Sequence, residues 1–539
     1  MVGQLFRTVT RPSTKERHFN WRNFFVTYSI SYGQLAFGYP SSIISTTLGS
    51  PDFLRYMGLV NDNGEATQSQ ETITGTTNGL YQAGAFVNTF ITCYALEKIG
   101  RKNTVYYNAV IGLLGGALLA GSRNIGMFLA GRWFTGMSAW DFLILTPVYT
   151  AELSPPDLRG FYTGLNGVHI GLGYFLAAAM GRAWLVASEP EAVWRGPLGI
   201  YLFFPLLMIV IMLFSPESPR WLFLKGRTEE AEKIIYRMHT VKGNTDFAEK
   251  ELNEMKKQIA IDVTLESSWI SMFRKPSYRK RTPICMFYCF IGQSTAVLVI
   301  NNYGPTFYKG LGYGTIEQID FQLGWVALAP PFCLLGALLM DNLGRRPLLL
   351  IGIGGCCICL SLEAAATAVF TADPTKLSYG KLGVAALYLF NVCYNVGVDV
   401  GGNVFYAEAF TNHIRHMGVS ITNAVLALTD LVYLEVTPIA FSNIGYKFFL
   451  VFISISAVGF VILWFILPET KGLSLEQVGK IFGDEDEAAM YREDVDITDE
   501  KVAAKLGQTA SGDRSGDDVV DAEKAIGVRG DVETHEHVK

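Results

Sequence analysis

Glu97-Lys98-Ile99-Gly100-Arg101-Lys102 and Asp341-Asn342-Leu343-Gly344-Arg345-Arg346 are two copies of one short pattern. Each copy closes a long apolar stretch and precedes another. An acid, a glycine turn and two cations are too polar to lie within hydrocarbon, so each copy reads as a tight loop at a membrane face. Its recurrence in two apolar halves points to a duplicated membrane protein.

The rest of the chain agrees. Half of the 539 residues are hydrophobic (50%), and only 17% are charged. Mean hydropathy is +0.25, whereas a soluble domain carries about a quarter charged residues. Between Trp21 and Leu467 the sequence falls into twelve apolar runs, each of roughly 20 residues, the length that spans a bilayer core. The runs are continuously apolar rather than alternating, which favours helices over a barrel. The fold class read from this is an all-α membrane protein of twelve transmembrane helices in two pseudo-symmetric six-helix bundles.

Five segments follow from the pattern: a polar tail over 1–20, a first bundle over 21–215, a charged helical linker over 216–280, a second bundle over 281–468 and an acidic tail over 469–539. The acids of the tail run from Asp484 through Glu536, without apolar periodicity, so disorder is expected there. The net charge of −5 originates largely in that tail. Arg7, Arg11, Lys15, Arg17 and Arg22 precede the first span with no cleavable signal pattern. Lys and Arg favour the cytoplasmic side, which puts both termini, the linker and the Gly-Arg loops in the cytoplasm. An integral protein of the plasma membrane is expected.

Several classes are disfavoured. No basic stripe with interleaved aromatics suggests nucleic acid. The sequence has no nucleophile elbow, P-loop or His-rich metal spacing, so neither an enzyme, a cofactor nor a metal site is expected. Cys356, Cys357 and Cys359 have no His or carboxylate nearby, and all eight cysteines lie in or beside spans, so packing is their expected role. Gly352-Ile353-Gly354-Gly355 lies inside a span and reads as close helix packing.

Further residues match a known family. The chain resembles the sugar porters of the major facilitator superfamily, of fungal type, over roughly residues 20–480. Besides the two Gly-Arg loops, the marks are Phe37-Gly38-Tyr39, Gly131-Arg132, Pro147-Val148-Tyr149 with Glu152 and Arg159-Gly160, Pro216-Glu217-Ser218-Pro219-Arg220, and Pro468-Glu469-Thr470-Lys471-Gly472. The resemblance implies a monomeric alternating-access transporter of a sugar or polyol. It also implies a cytoplasmic gating network of Glu97, Arg101, Glu152, Arg159, Glu217, Arg220, Asp341, Arg345, Glu408, Arg415 and Glu469. The alternative for these residues is that they cap helix ends and fix topology.

Polar groups inside apolar spans tend to face a cavity. Asn391, Asn395, Asp399 and Asn403 recur every four residues and form one stripe of a helix. Amides donate and accept in a plane, which suits vicinal hydroxyls. The candidate substrate residues are Gln293, Asn395, Asp399, Asn403, Asn301, Asn302, Asn166 and His169, with interhelical hydrogen bonding as the alternative role. Glu363, in span nine, fits neither scheme. Where the family places its sugar contacts this chain has Gly167, Gly292, Leu298, Asn302-Tyr303 and Asn403, so the resemblance does not carry a particular sugar. The aspartate that follows Gly-Tyr in proton-linked members is Pro40 here. That favours a facilitative uniporter. A proton symporter using another acid such as Asp399, and a non-transporting nutrient sensor, are the alternatives.

Overall fold

A computed structural model describes residues 20–61, 67, 69–155, 159–240, 243–265, 268–411, 413–471 and 481–483. The side chains at 159–161, 263–264, 341–342, 403–404 and 407–408 are outside that description. The described residues are helical almost throughout and form twelve spans in two six-helix bundles.

In the first bundle, span one is broken into Trp21–Ser31 and Gly33–Leu48. Spans two to five are Gln70–Lys98, Arg101–Ala120, Ile125–Leu153 and Arg159–Trp184. Span six comprises Pro190–Ile200 and Phe203–Phe214. In the second bundle, span seven is Pro276–Gln293 with Val297–Gly310, and span eight is Thr315–Ala327 with Ala329–Leu343. Span nine is Arg345–Ala372. Span ten runs through Leu377–Cys393, a π-helix at Tyr394–Asp399, and Val400–Ala409. Spans eleven and twelve are Arg415–Ile444 and Phe448–Ile466.

The quoted loops are the turns expected of them. Gly100 has φ +88° and Gly344 φ +100°, a region that L side chains avoid. Each reverses the chain in one residue, so spans two and three, and spans eight and nine, become antiparallel neighbours. Asn20 and Asn124 start spans one and four by accepting from the backbone N–H of Arg22 and Met127, at 2.8 and 2.9 Å.

The sides of the bundles are apolar and uncovered. Phe214, Leu213, Ile358, Val458 and Phe465, on spans six, nine and twelve, are all exposed. A surface of this kind is stable only against lipid. Seven stretches are long and apolar enough to cross a membrane on composition alone, one of them covering spans eleven and twelve together. Spans one, two, four and five fall short because their inner faces bury residues such as Gln34, Asn78, Asp141 and Asn166.

The bundles meet along spans two and eleven, five and eight, and one and seven. At the end remote from the Gly-Arg turns, direct polar contacts join them. Thr76 donates to the Glu435 carboxylate at 2.9 Å, Ser442 donates to Glu71 at 2.9 Å, and Arg182 donates to Asp320 at 2.6 Å. At the turn end the linker helices Pro219–Leu224, Thr228–His239 and Asp246–Thr264 pack through Trp221, Ile235 and Leu252. Asn23 ties this layer to span four by donating to the carbonyls of Leu153 and Met238, at 2.8 and 3.4 Å.

Candidate substrate cavity and charge cluster

Two local departures from the α-helix shape the interior. Span seven breaks after Gln293. Ala296 has φ +72°, the one non-glycine at positive φ among the described residues. Thr295 donates to the Gly292 carbonyl at 2.7 Å, and Ser294 adds a side-chain bond at 2.6 Å to the Phe290 carbonyl, which also receives the Ser294 N–H. Span ten widens into its π-helix at Tyr394–Asp399. Both departures lie at a cavity between the bundles, where non-helical backbone is tolerated in a membrane protein. Just beside it Gly397 meets Gly352 of span nine, and a Cβ on Gly397 would lie 2.5 Å from the Gly352 Cα. Close packing is therefore the role of that glycine run.

The cavity has about 90 Å³ of room for water centres, several waters' worth at roughly 10–15 Å³ each. Both bundles line it. Gln293, Asn301, Asn395 and Asp399 face it, and so do Asn391 and Asn423. Two members of the span-ten stripe are bonded: the Asn395 amide donates to the carbonyl and the side-chain oxygen of Asn391, both at 2.7 Å. The Cys333 thiol lies against the stripe, 3.3 Å from Asn395 Oδ1 and 3.5 Å from Asp399 Oδ2. Gln293 Oε1 and Asn301 Nδ2 are buried with no protein partner, one an acceptor and one a donor.

Aromatic faces complete the wall. Phe37 packs edge-on against Trp140 at 5.1 Å. Tyr288 donates to the Val398 carbonyl at 2.8 Å, and Trp325 to the Leu387 carbonyl at 2.9 Å. Their polar atoms are thus engaged, and their rings are what they offer a solute. Tyr174, Tyr394 and Tyr406 also line the space.

Other candidates lie elsewhere. Asn302 turns its amide back to the Leu298 carbonyl at 2.9 Å, one residue round the helix from the cavity-facing Asn301. Asn166 donates to Thr150 Oγ1 and the Thr163 carbonyl, at 3.2 and 3.0 Å. The His169 ring contacts the Leu165 carbonyl at 2.8 Å and packs between Tyr28 and Tyr32. None of these three lines the cavity, and the Asn403 side chain is outside the described residues. Glu363 is buried in span nine, accepts from Thr367 at 3.0 Å and lies away from the site. The Asp141 carboxylate receives the Asn88 amide and the Thr92 hydroxyl, next along the chain from the cavity-facing Trp140. Sequence reasoning missed Trp140, Tyr174, Tyr288 and Trp325. Their one signal was an aromatic within a span that also carries polar residues.

The charged residues at the turn end do two kinds of work. Arg101 donates twice to Glu152, Nε at 2.8 Å and Nη2 at 2.6 Å, with both side chains 12% exposed. Glu217 accepts from the backbone N–H groups of Arg101 and Lys102, at 3.0 and 3.2 Å. Glu469 does the same for Arg345 and Arg346, at 3.0 and 3.1 Å. Burial pushes the Glu217 carboxyl up from its ordinary value, against the downward pull of those N–H groups. Arg220 donates to Gln258 at 2.7 Å, and Arg415 to the Phe410 carbonyl at 3.4 Å. Glu97 is exposed, and it is its carbonyl that receives the Trp221 indole at 3.0 Å. The side chains of Arg159, Asp341 and Glu408 are outside the described residues.

Deeper in the first bundle, Arg132 is 1% exposed. It donates to the carbonyls of Pro40 and Thr77 at 3.1 and 3.2 Å, and to Asn78 Oδ1 at 3.2 Å, with its guanidinium 4.1 Å from the Tyr81 ring centre. Asn78 passes the contact on to Tyr303 of the second bundle, 2.9 Å away.

Two six-helix bundles around a central polar cavity, with paired Gly-Arg turns, define a transporter of the major facilitator class rather than an enzyme. The family model described as "Sugar (and other) transporter" matches residues 26–482, and the chain belongs to that family. A probable quinate permease of Neosartorya fischeri is 28% identical over 497 residues, covering 88% of this chain and 89% of that one. An MFS-type transporter, criB, of Aspergillus cristatus is 27% identical over 479 residues, covering 87% and 96%. Among solved structures, the proton:xylose symporter XylE bound to 6-bromo-6-deoxy-D-glucose superposes with a TM-score of 0.73 at 22% identity, over 86% of this chain and all of that one.

Proposed function

We propose that the chain moves a polyhydroxylated ring solute, a sugar or a cyclic polyol, across the plasma membrane by rocking its two bundles around the central cavity. The observation that carries this reading is the pairing of unpartnered amide atoms, Gln293 Oε1 and Asn301 Nδ2, with flat aromatic faces in one small space. Hydroxyls both donate and accept, and the C–H face of a ring lies well on an aromatic. The room suits a single ring better than a disaccharide. Gln293, Asn301, Asn395 and Asp399 are the contacts we favour, with Asn391 and Asn423 added. Asn166, Asn302 and His169 become support for the bundles. The relatives named quinate permeases also handle a hydroxylated ring, although quinate bears a carboxylate. Among the described residues that line this cavity there is no Lys, Arg or His to meet one.

Facilitative uniport is the favoured mode. Pro40 occupies the place of the proton-linked carboxylate, and Arg132 donates to the Pro40 carbonyl instead. Symport through Asp399 is the second reading, favoured by the presence of that acid in the cavity wall. Uptake of labelled hexoses, pentoses, polyols and disaccharides into transporter-deficient cells, with and without a protonophore, tests both. Protonophore-insensitive uptake of a monosaccharide or polyol is expected. Accumulation that collapses with the protonophore would establish symport, and no uptake at matched surface abundance would favour a sensor.

A further inference from the structure

Electrostatically, the cavity is one-sided. Asp399 faces it, and no cationic side chain is among its described lining residues. A second acid lies close by. Asp430 is on the face of span eleven that presents Asn423 and Leu426 to the cavity, one turn beyond Leu426, and it is 2% exposed. Tyr174 and Tyr394, both in the cavity wall, lie within electrostatic reach of Asp399 and Asp430 together. The Arg132 guanidinium is held by Pro40, Thr77 and Asn78, and the His169 ring lies between Tyr28 and Tyr32. Among buried polar atoms left without a protein partner, Gln293 Oε1 and Asp430 Oδ2 are acceptors, and Asn301 Nδ2 and Trp140 Nε1 are donors. Around them stand the rings of Tyr174, Tyr288, Tyr394, Tyr406 and Trp325. Carboxylates and aromatic faces together form the chemistry that receives an ammonium group.

We infer that the cavity selects by charge, with Asp399 as the specificity-determining residue: a hydroxylated ring bearing an ammonium is preferred over its neutral counterpart, and the neutral one over a carboxylate. The inference rests on the transport reading above and names the substrate class of that same site. A carboxylate-bearing ring would bring a like charge towards Asp399 in a weakly screened space, whereas an ammonium would bring the opposite charge.

Three solutes that share one ring test it: glucosamine, glucose and glucuronate, compared near pH 6 in proteoliposomes holding the full chain. The expected order of kcat/KM is glucosamine, glucose, glucuronate, with at least about tenfold between the first and last. Asp399→Asn is expected to collapse the glucosamine-to-glucose ratio towards one, and Asp399→Glu to keep the order. Elution as a monodisperse species with an unchanged thermal midpoint shows that either variant is folded. Should Asp399→Asn fail to fold, the wild-type order alone decides. Glucose uptake with glucuronate carried equally well overturns charge selection but leaves transport standing. An amine preference that survives in folded Asp399→Asn overturns the role of Asp399. Uptake of none of the three overturns the transport reading and this inference with it.

Discussion

Glu217 stands to the helix that begins at Arg101 as Glu469 stands to the helix that begins at Arg345. Each carboxylate receives the first two backbone N–H groups beyond a left-handed glycine, at 3.0 to 3.2 Å. The first four N–H groups of any helix lack partners within it, and an anion there also meets the positive end of the helix dipole. Glycine is needed for space as well as for the turn, since a Cβ on Gly100 or Gly344 would lie 2.7 Å from the carboxylate oxygen of its cap.

Glu217→Ala and Glu469→Ala should each destabilise the protein by about 1 kcal/mol, a typical value for a lost cap. Thermal unfolding in detergent followed by size-exclusion recovery measures this. The two losses should be alike and should add, because the sites lie in separate bundles. A loss confined to one variant would show that the two caps are not equivalent.

The Arg101–Glu152 pair makes a different demand. Two charge-assisted bonds at low exposure are worth roughly 1.5–3 kcal/mol, enough to shift a balance between two states. Arg101→Ala should reduce uptake about tenfold or more while surface abundance changes little. Arg101→Lys should restore only part of it, because an ammonium cannot reproduce the fork. Surface biotinylation alongside initial uptake rates separates the two effects.

Neighbouring residues in span seven should behave unlike one another. Asn301→Ala and Gln293→Ala remove groups that face the cavity, and each should raise KM about three- to tenfold, the worth of one hydrogen bond. Asn302→Ala removes an amide that serves only the Leu298 carbonyl, and it should leave KM within about twofold. A KM rise for Asn302→Ala equal to that for Asn301→Ala would move the cavity wall.

Pro40→Asp places a carboxylate beside the buried Arg132. On the uniport reading the wild type is indifferent to a protonophore, and the variant should become sensitive to it. Internal and external pH dyes, read during substrate addition, would register proton entry in the variant alone. Proton movement in the wild type would instead direct attention to Asp399.

How much of this could be read without coordinates varies with the kind of signal. The bundles were legible because charge and glycine interrupt apolar runs at fixed places, and hydrocarbon punishes any other arrangement. The stripe of Asn391, Asn395 and Asp399 was legible because its spacing nearly matches a helical turn. Asn301 and Asn302 were not separable, since adjacent residues point about 100° apart and nothing local says which way. The break at Ala296 left no mark, as it has no glycine or proline at its centre, and the π-helix at Tyr394–Asp399 carries one glycine, Gly397, whose spacing does not differ from that of a packing glycine in an α-helix. The expected network divided on inspection: Arg101 and Glu152 bond through their side chains, whereas Glu217 and Glu469 bond to backbone. Composition cannot distinguish those roles.

Glu217 and Glu469 are also the points at which the polypeptide leaves the membrane bundles, one into the linker and one into the tail. Each exit strand is therefore bolted to the start of a spanning helix before it goes anywhere else. A truncation beyond Lys471 spares the bolt, and one before Glu469 draws it. Spans three and nine therefore anchor the first residues of the two appendages and share any load placed on them.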